Sequence, residues 1–174
     1  LGERGARAAV LYSDTRSLPS HERKTVCQAI LDAAKPWLLR VMGPGSQGFN
    51  VPLTHLNASL DRQPLLPGQI AFVTESGTIG QTALDIGNHY GFGFSHLIHL
   101  GDGLDVDLAD ILDYLAGDYR VRAILLYLEN IGDARKFMSA ARRASRVKPV
   151  IVLKPRRFPE ELDDAVFAAA FRRA

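Results

Sequence analysis

The chain alternates between continuous apolar runs and stretches in which apolar side chains recur every three to four positions. Runs at residues 6–12, 37–42, 69–74, 94–100, 122–128 and 149–153 predict strands. Helical spacing predicts helices at 20–34, about 78–90, about 107–116, about 133–146 and from about 160 onward. In the first helix Ser20 is the expected cap, Val26, Ile30 and Ala33 share a face, and Pro36 ends the element. The expected apolar faces of the next three helices are Ile79, Ala83, Ile86 and Tyr90; then Leu108, Ile111, Leu112 and Leu115; then Ala134, Phe137, Met138 and Ala141. Strands apolar along their whole length are buried on both faces. Repeated β-α units of this kind predict a parallel sheet covered by helices on both sides, an α/β fold. Residues 43–67 are rich in Gly, Pro and Asn without a helical period, and predict a crossing linker and domain boundary. Asn57-Ala58-Ser59 is formally a glycosylation sequon, without meaning in the cytoplasmic setting argued below. The chain shows no internal repeat and no low-complexity segment.

Composition narrows the class. The 174 residues suffice for about one domain, and 47% are apolar, enough for a core. No stretch reaches the roughly 18 apolar residues of a membrane span. The start, Leu1-Gly2-Glu3-Arg4, is neither an initiator methionine nor a signal peptide, and reads as the interior of a longer chain. Cys27 is alone, which excludes a disulfide framework and a cysteine metal cluster and fits a reducing, cytoplasmic setting. The net charge of +2, without aromatic residues among the basic ones, does not suit nucleic acid.

In a parallel sheet, ligands gather at the carboxyl ends of the strands. Four loops are expected there: 75–78, 101–103 followed by Asp105 and Asp107, 129–132, and 154–157. The first has the shape of an anion site. A strand ending in Val73 turns through Thr74, Glu75, Ser76 and Gly77 into a helix N-terminus, where free N–H groups and the helix dipole favour negative charge. The alternative is that Ser76 or Thr78 only caps the helix. Asp102, Asp105 and Asp107 lack the spacing of an EF-hand; Asp105 or Asp107 is the expected cap of the next helix, and no metal is expected. Glu129 ends an apolar strand, so its carboxylate must be solvated, paired, capping or functional. Lys154, Arg156 and Arg157 either meet a phosphate or are surface. His21, His55, His89, His96 and His99 show no ligand spacing; His96 and His99, three apart on one strand, face opposite sides of the sheet. Cys27 reads as a buried hydrophobe, and Arg135, Lys136, Arg142, Arg143 and Arg146 as the solvated side of a helix.

Several blocks together carry a family resemblance. They are Phe72-Val-Thr-Glu-Ser-Gly77, Gly93-Phe-Ser-His96, Leu100-Gly-Asp-Gly-Leu-Asp-Val-Asp107, Ile111-Leu-Asp-Tyr-Leu115, Ala123-Ile-Leu-Leu-Tyr-Leu-Glu129 and Ala134-Arg-Lys-Phe-Met-Ser-Ala-Ala-Arg142. They resemble the nucleoside-diphosphate-forming acyl-CoA synthetases, the superfamily of the succinyl-CoA synthetase α subunit. Within it the chain is most similar to the acyl-CoA-synthetase-like region of bacterial GNAT-type protein lysine acetyltransferases; Lys148-Pro-Val-Ile-Val-Leu153 and Asp164-Ala-Val-Phe-Ala-Ala-Ala-Phe-Arg-Arg-Ala174 match that branch too.

The resemblance implies a layout. Residues 1–43 would be the C-terminal remnant of a CoA-binding Rossmann-like domain, 44–67 a linker, and 68–174 a flavodoxin-like domain. Gly43 and Pro44 match the start of a Gly-Pro-Asn junction motif near CoA, although Gly45 stands where Asn is expected. In complete relatives a loop histidine relays phosphate, the helix N-terminus matching Ser76, Gly77 and Thr78 holds it, and the glutamate matching Glu129 orients the histidine. The matching loop here, 154–163, contains no histidine. The resemblance therefore implies a non-catalytic, structural or regulatory domain linked to acyl-CoA, with no catalytic residue of its own. Its expected partners are acyl-CoA and the CoA-binding, ATP-grasp-like and GNAT domains of a parent acetyltransferase, with homo-oligomerisation open and no covalent cofactor, nucleic acid or membrane. CoA or acetyl-CoA is expected to bind this region alone weakly or not at all. Two alternatives stand: a working ligase domain whose phosphorylated histidine has moved to His99 or His96, and an interaction domain without a ligand.

Overall fold

The computed structural model describes residues 1–155. The helix expected from about residue 160, with Arg156 and Arg157, lies outside the described residues. The chain opens with a β-α-β unit: β1 (Ala8–Val10), α1 (Ser20–Ala34) and β2 (Arg40–Met42), with β1 and β2 paired in parallel. Then follow β3 (Gly48–Val51), β4 (Leu56–Ser59), β5 (Pro67–Thr74), α2 (Gly77–Tyr90), β6 (Phe94–His99), α3 (Leu108–Gly117), β7 (Ala123–Tyr127), α4 (Ala134–Ser145) and β8 (Val150–Leu153). Strands β3 to β8 form one sheet in the order β4-β3-β6-β5-β7-β8.

The expected α/β architecture is present, with helices on both faces. Alternation along β5 sends Ala71 and Val73 to one side, where Leu112, Leu115, Phe137 and Ala141 of α3 and α4 close the larger core. Phe72 points the other way and meets Leu84 of α2 together with Leu97. The chain leaves β5 toward the α2 face, while the helices after β6 and β7 lie on the opposite face. The order reverses around β5, and such a reversal opens a crevice at the strand ends.

Several local expectations change. The stretch 44–67 is no plain linker: β3 and β4 form an antiparallel hairpin, and β3 pairs antiparallel with β6, which makes the sheet mixed. Strands of four residues containing Gly, Asn and Ser have little intrinsic strand preference; pairing with the buried edge of β6 supplies what the local pattern lacks. Pro19, not Ser20, occupies the N-cap of α1, with no side-chain cap bond. The run at 37–42 becomes a strand only from Arg40, because residues 35–37 form a 3₁₀ turn and Leu38 is left-handed at φ 51°. On α2 the buried positions are Gly80, Leu84 and Gly87, while Ile86 and Tyr90 are exposed. Small residues face the sheet there because α2 lies close to it: a side chain on Gly80 would stand 3.3 Å from the Thr74 methyl. On α4, Phe137 and Ala141 are buried as expected but Ala134 is exposed.

The opening unit is stitched to the sheet domain by polar contacts. Arg40 pairs with Asp105 at 3.1 Å and Asp110 at 2.9 Å, and the Val41 N–H donates to Asp105 at 2.7 Å. Gly101, at φ 74°, lets the loop after β6 press onto the Gly43–Ser46 turn; a side chain there would collide with the Pro44 carbonyl oxygen.

Candidate anion site at the end of the central strand

The turn after β5 is set by its own residues. The Thr74 hydroxyl accepts the Ser76 N–H at 2.9 Å and donates to the Ser76 carbonyl at 3.0 Å. This local loop breaks the strand and starts α2. Ser76 occupies the N-cap of α2, but its side chain makes no cap bond. The other helices at this end differ. Asp107 caps α3 in a full capping box with Asp110, and Asp133 caps α4 by accepting the Lys136 N–H at 2.9 Å. The first N–H groups of a helix have no intrahelical acceptor. Those of α3 and α4 are met by carboxylates, whereas the opening turn of α2, at Gly77 and Thr78, has no side-chain cap.

Glu75 points away from that turn. Its carboxylate accepts the Glu129 N–H at 2.6 Å and the Asn130 N–H at 2.9 Å, and so ties the β5 turn to the loop after β7. Burial pushes the Glu75 carboxyl above its ordinary range, and these two bonds only partly offset it. Glu129 itself is half-buried; its backbone is bound to Glu75, and α4 is capped by Asp133 rather than by Glu129. Three of the four expected loops converge on a small cleft of about 100 Å³, lined among others by Glu75, Asp102, Gly103, Asp107, Gly132 and Asp133. Four carboxylates make it a poor site for an anion. Asp102 is neutralised by Arg23 at 2.9 Å and accepts the Thr15 hydroxyl at 3.2 Å, while Lys136 bonds Asp107 at 2.8 Å. Each acid of the 102–107 segment is thus occupied by an arginine, a lysine or a cap, and no group of metal ligands occurs among the described residues. Of the fourth loop, Lys154 and Pro155 are exposed.

The uncapped turn of α2 has a different surrounding. The Gln47 side-chain amide lies against Gly77, so closely that a side chain at Gly77 would collide with it. The Gln47 N–H donates to His99 Nδ1 at 2.7 Å, and the Ser46 hydroxyl donates to the His99 carbonyl at 2.5 Å. Burial, with Arg16 nearby, holds the His99 ring below its ordinary pKa. Arg16 pairs with Asp14 at 3.1 Å and also feels Asp102 and Glu129. Gly43 and Pro44 stand next to this region: their carbonyls accept the Leu104 N–H at 3.2 Å and the Asp102 N–H at 2.9 Å. His96 faces the other side of the sheet, as the spacing predicts. It stands 3.5 Å from Asp118 and 3.4 Å from the Tyr114 hydroxyl, and burial lowers its pKa. Gln47 and Arg16 were not legible from sequence; both come from segments without periodicity, and only the tertiary fold brings them to β5.

Comparison with known proteins agrees with this fold. The family model described as the succinyl-CoA ligase-like flavodoxin domain matches residues 67–174. The α subunit of acetate–CoA ligase (ADP-forming) I of Pyrococcus furiosus is 29% identical over 99% of this chain and 40% of its own length. The α subunit of isoform II from the same organism is 31% identical over 88% of this chain and 33% of its own. A crystal structure from Pyrococcus horikoshii OT3 superposes with a TM-score of 0.89 at 29% identity, over 99% of this chain and 38% of that one. The dinucleotide-forming acetyl-coenzyme A synthetase 1 of Candidatus Korarchaeum cryptofilum, in complex with phosphate and ADP, also gives 0.89, at 26% identity over 99% of this chain and 40% of that one. The chain therefore spans well under half the length of these relatives.

Proposed function

The chain belongs to the succinyl-CoA ligase-like flavodoxin domain family, and from that membership we propose that it is the acyl-CoA-synthetase-like part of a larger protein, binding an anion without carrying out the ligase step. The observation that carries this reading is the uncapped N-terminus of α2 at Ser76, Gly77 and Thr78, at the end of the central strand. A solved relative in complex with phosphate and ADP supports a phosphate as that anion. Residues 100–174 contain no histidine, so the loop after β8 has no imidazole to carry a phosphoryl group. Glu129, whose backbone the Glu75 carboxylate clamps, keeps the position of the family's histidine-orienting glutamate. Residues 1–43 are the end of a CoA-binding unit, with Gly43 and Pro44 at its junction. The parent is a GNAT-type protein lysine acetyltransferase, in which this region has a structural and acyl-CoA-linked regulatory role.

The test is calorimetric titration of acetyl-CoA, CoA and inorganic phosphate, repeated with Ser76→Ala and Gly77→Ala. Binding that Gly77→Ala abolishes supports an anion site at this turn; no binding of any of the three refutes it. A second reading, a working ADP-forming ligase domain, is favoured by the descriptions of the relatives, which are ligases. Incubation with labelled nucleoside triphosphate and partner subunit separates the two, because a stable phosphohistidine appears only under the second.

A further inference from the structure

Beneath the opening turn of α2 lies a polar group that the described residues do not satisfy. His99 is only 6% exposed, and its Nε2 is buried without a hydrogen-bond partner among them. The other ring nitrogen, Nδ1, accepts the Gln47 N–H. A nitrogen that accepts carries no proton, so the proton of the neutral ring sits on Nε2. Burial favours that neutral ring. The result is a buried N–H donor with no acceptor, an arrangement that folded proteins rarely tolerate without a use for it.

The surroundings say what the donor faces. His99 is the register partner of Thr74 on the adjacent parallel strand, so both side chains leave the sheet on the α2 face. Thr74 reaches Gly80 in the first turn of α2, and Gln47, which holds the His99 ring from its backbone, rests its amide on Gly77. The Glu75 backbone also influences the ring, but its carbonyl meets no hydrogen-bond geometry with Nε2. Gln47 thus joins the His99 ring, bonded to its backbone, to Gly77, against which its side-chain amide rests, at the uncapped opening turn of α2. Arg16 adds positive charge close by.

We propose that His99 Nε2–H is an inner donor reserved for a tetrahedral oxyanion at the α2 N-terminus, and that the Gln47 side chain is a placeholder which the anion displaces. This rests on the anion-site reading above and deepens it. The anion accepts from the Gly77 and Thr78 amides on one side and from the imidazole on the other. The ring stays neutral and no bond is made or broken, so His99 is a positioning residue. The shared ligand chemistry is a phosphate group, free or on CoA.

The experiment uses the 174-residue chain with ¹⁵N-labelled histidine and backbone. Inorganic phosphate is titrated at constant pH and ionic strength, with CoA as a second arm. The expected result is that the His99 Nε2 resonance and the Gly77 and Thr78 amides move on one isotherm. His99→Leu weakens that binding about tenfold, the loss of one hydrogen bond to a charged group. Gln47→Ala binds at least as tightly as the unaltered chain. A response to CoA alone keeps the assignment and names CoA as the source of the phosphate. Amides that shift while Nε2 does not overturn the role of His99 and leave the α2 site standing. No shift anywhere overturns both. Should His99→Leu fail to fold, the isotherm of the unaltered chain decides.

Discussion

Asp118 follows the last turn of α3, with a side chain only 5% exposed. It accepts the Arg120 N–H and Nε–H, each at 2.9 Å, and stands 3.5 Å from His96 Nε2. The Arg120 guanidinium and backbone hold its carboxyl down from 3.8 to about 2. At 1.36 kcal/mol per pKa unit, the ionised form contributes about 2 kcal/mol to stability. The sign follows from the direction. A depressed folded-state pKa means the contribution is complete above the unfolded value of 3.8 and is lost as pH falls through about 2. Asp118→Asn keeps shape and an acceptor oxygen but removes the charge. It should cost about 2 kcal/mol at pH 7, and the gap to the unaltered chain should close as the pH approaches 2. Urea unfolding followed by circular dichroism across that range measures it, provided the slope is unchanged. Burial lowers the His96 pKa while Asp118 raises it, so protonating His96 on acidification costs the Asn variant more, until the Asp118 carboxyl itself titrates and the gap closes. Equal stability at neutral pH, or a gap that does not change with pH, would rule out the Asp118–Arg120 pairing as a source of stability.

Glu75→Ala leaves two backbone N–H groups without their acceptor and should cost about 2–4 kcal/mol, while Glu75→Gln keeps an acceptor and should stay within about 1 kcal/mol of the unaltered chain. Because burial raises the Glu75 carboxyl above 4.5, the unaltered chain should lose stability relative to Glu75→Gln as pH rises from that value through the raised one; parallel pH–stability curves would contradict this. Asp107→Ala removes the capping box of α3 and should cost about 1–2 kcal/mol by denaturant unfolding. Ser76→Ala removes no cap bond and should change stability by less than about 0.5 kcal/mol. Gly77→Ala should instead abolish phosphate binding in calorimetry, since its methyl group adds bulk where the backbone N–H groups must meet the anion.

The main strands and helices were legible because each carries a strong local signal. In β5 and β6 nearly every side chain from Ala71 and from Phe94 onward is buried, so an apolar run marks them without ambiguity. Asp107 was readable as a cap because a short acid before an apolar helical period has few other uses. The opposed directions of His96 and His99 follow from the two-residue period of a strand alone. Residues 48–59 were not readable, because Gly48, Asn50, Asn57 and Ser59 hold strand conformation only through partners on β6 and on each other. The exposure of Ile86 and Tyr90 was equally hidden. Periodicity shows that a helix has an apolar stripe, but the closeness of α2 to the sheet selected the glycine-lined one.

The site divides in the same way. A turn of small residues between a buried strand and a helix, with three further loops at the same end, could be read from the chain alone. Local sterics and backbone hydrogen bonding suffice for that. That Glu75 turns away to clamp Glu129 and Asn130, that Ser76 caps nothing, and that Gln47 and Arg16 come to His99 follow only from the folded chain. Those contacts join residues tens of positions apart, and their energies depend on burial and on which donors find acceptors. Both quantities exist only once the sheet has closed.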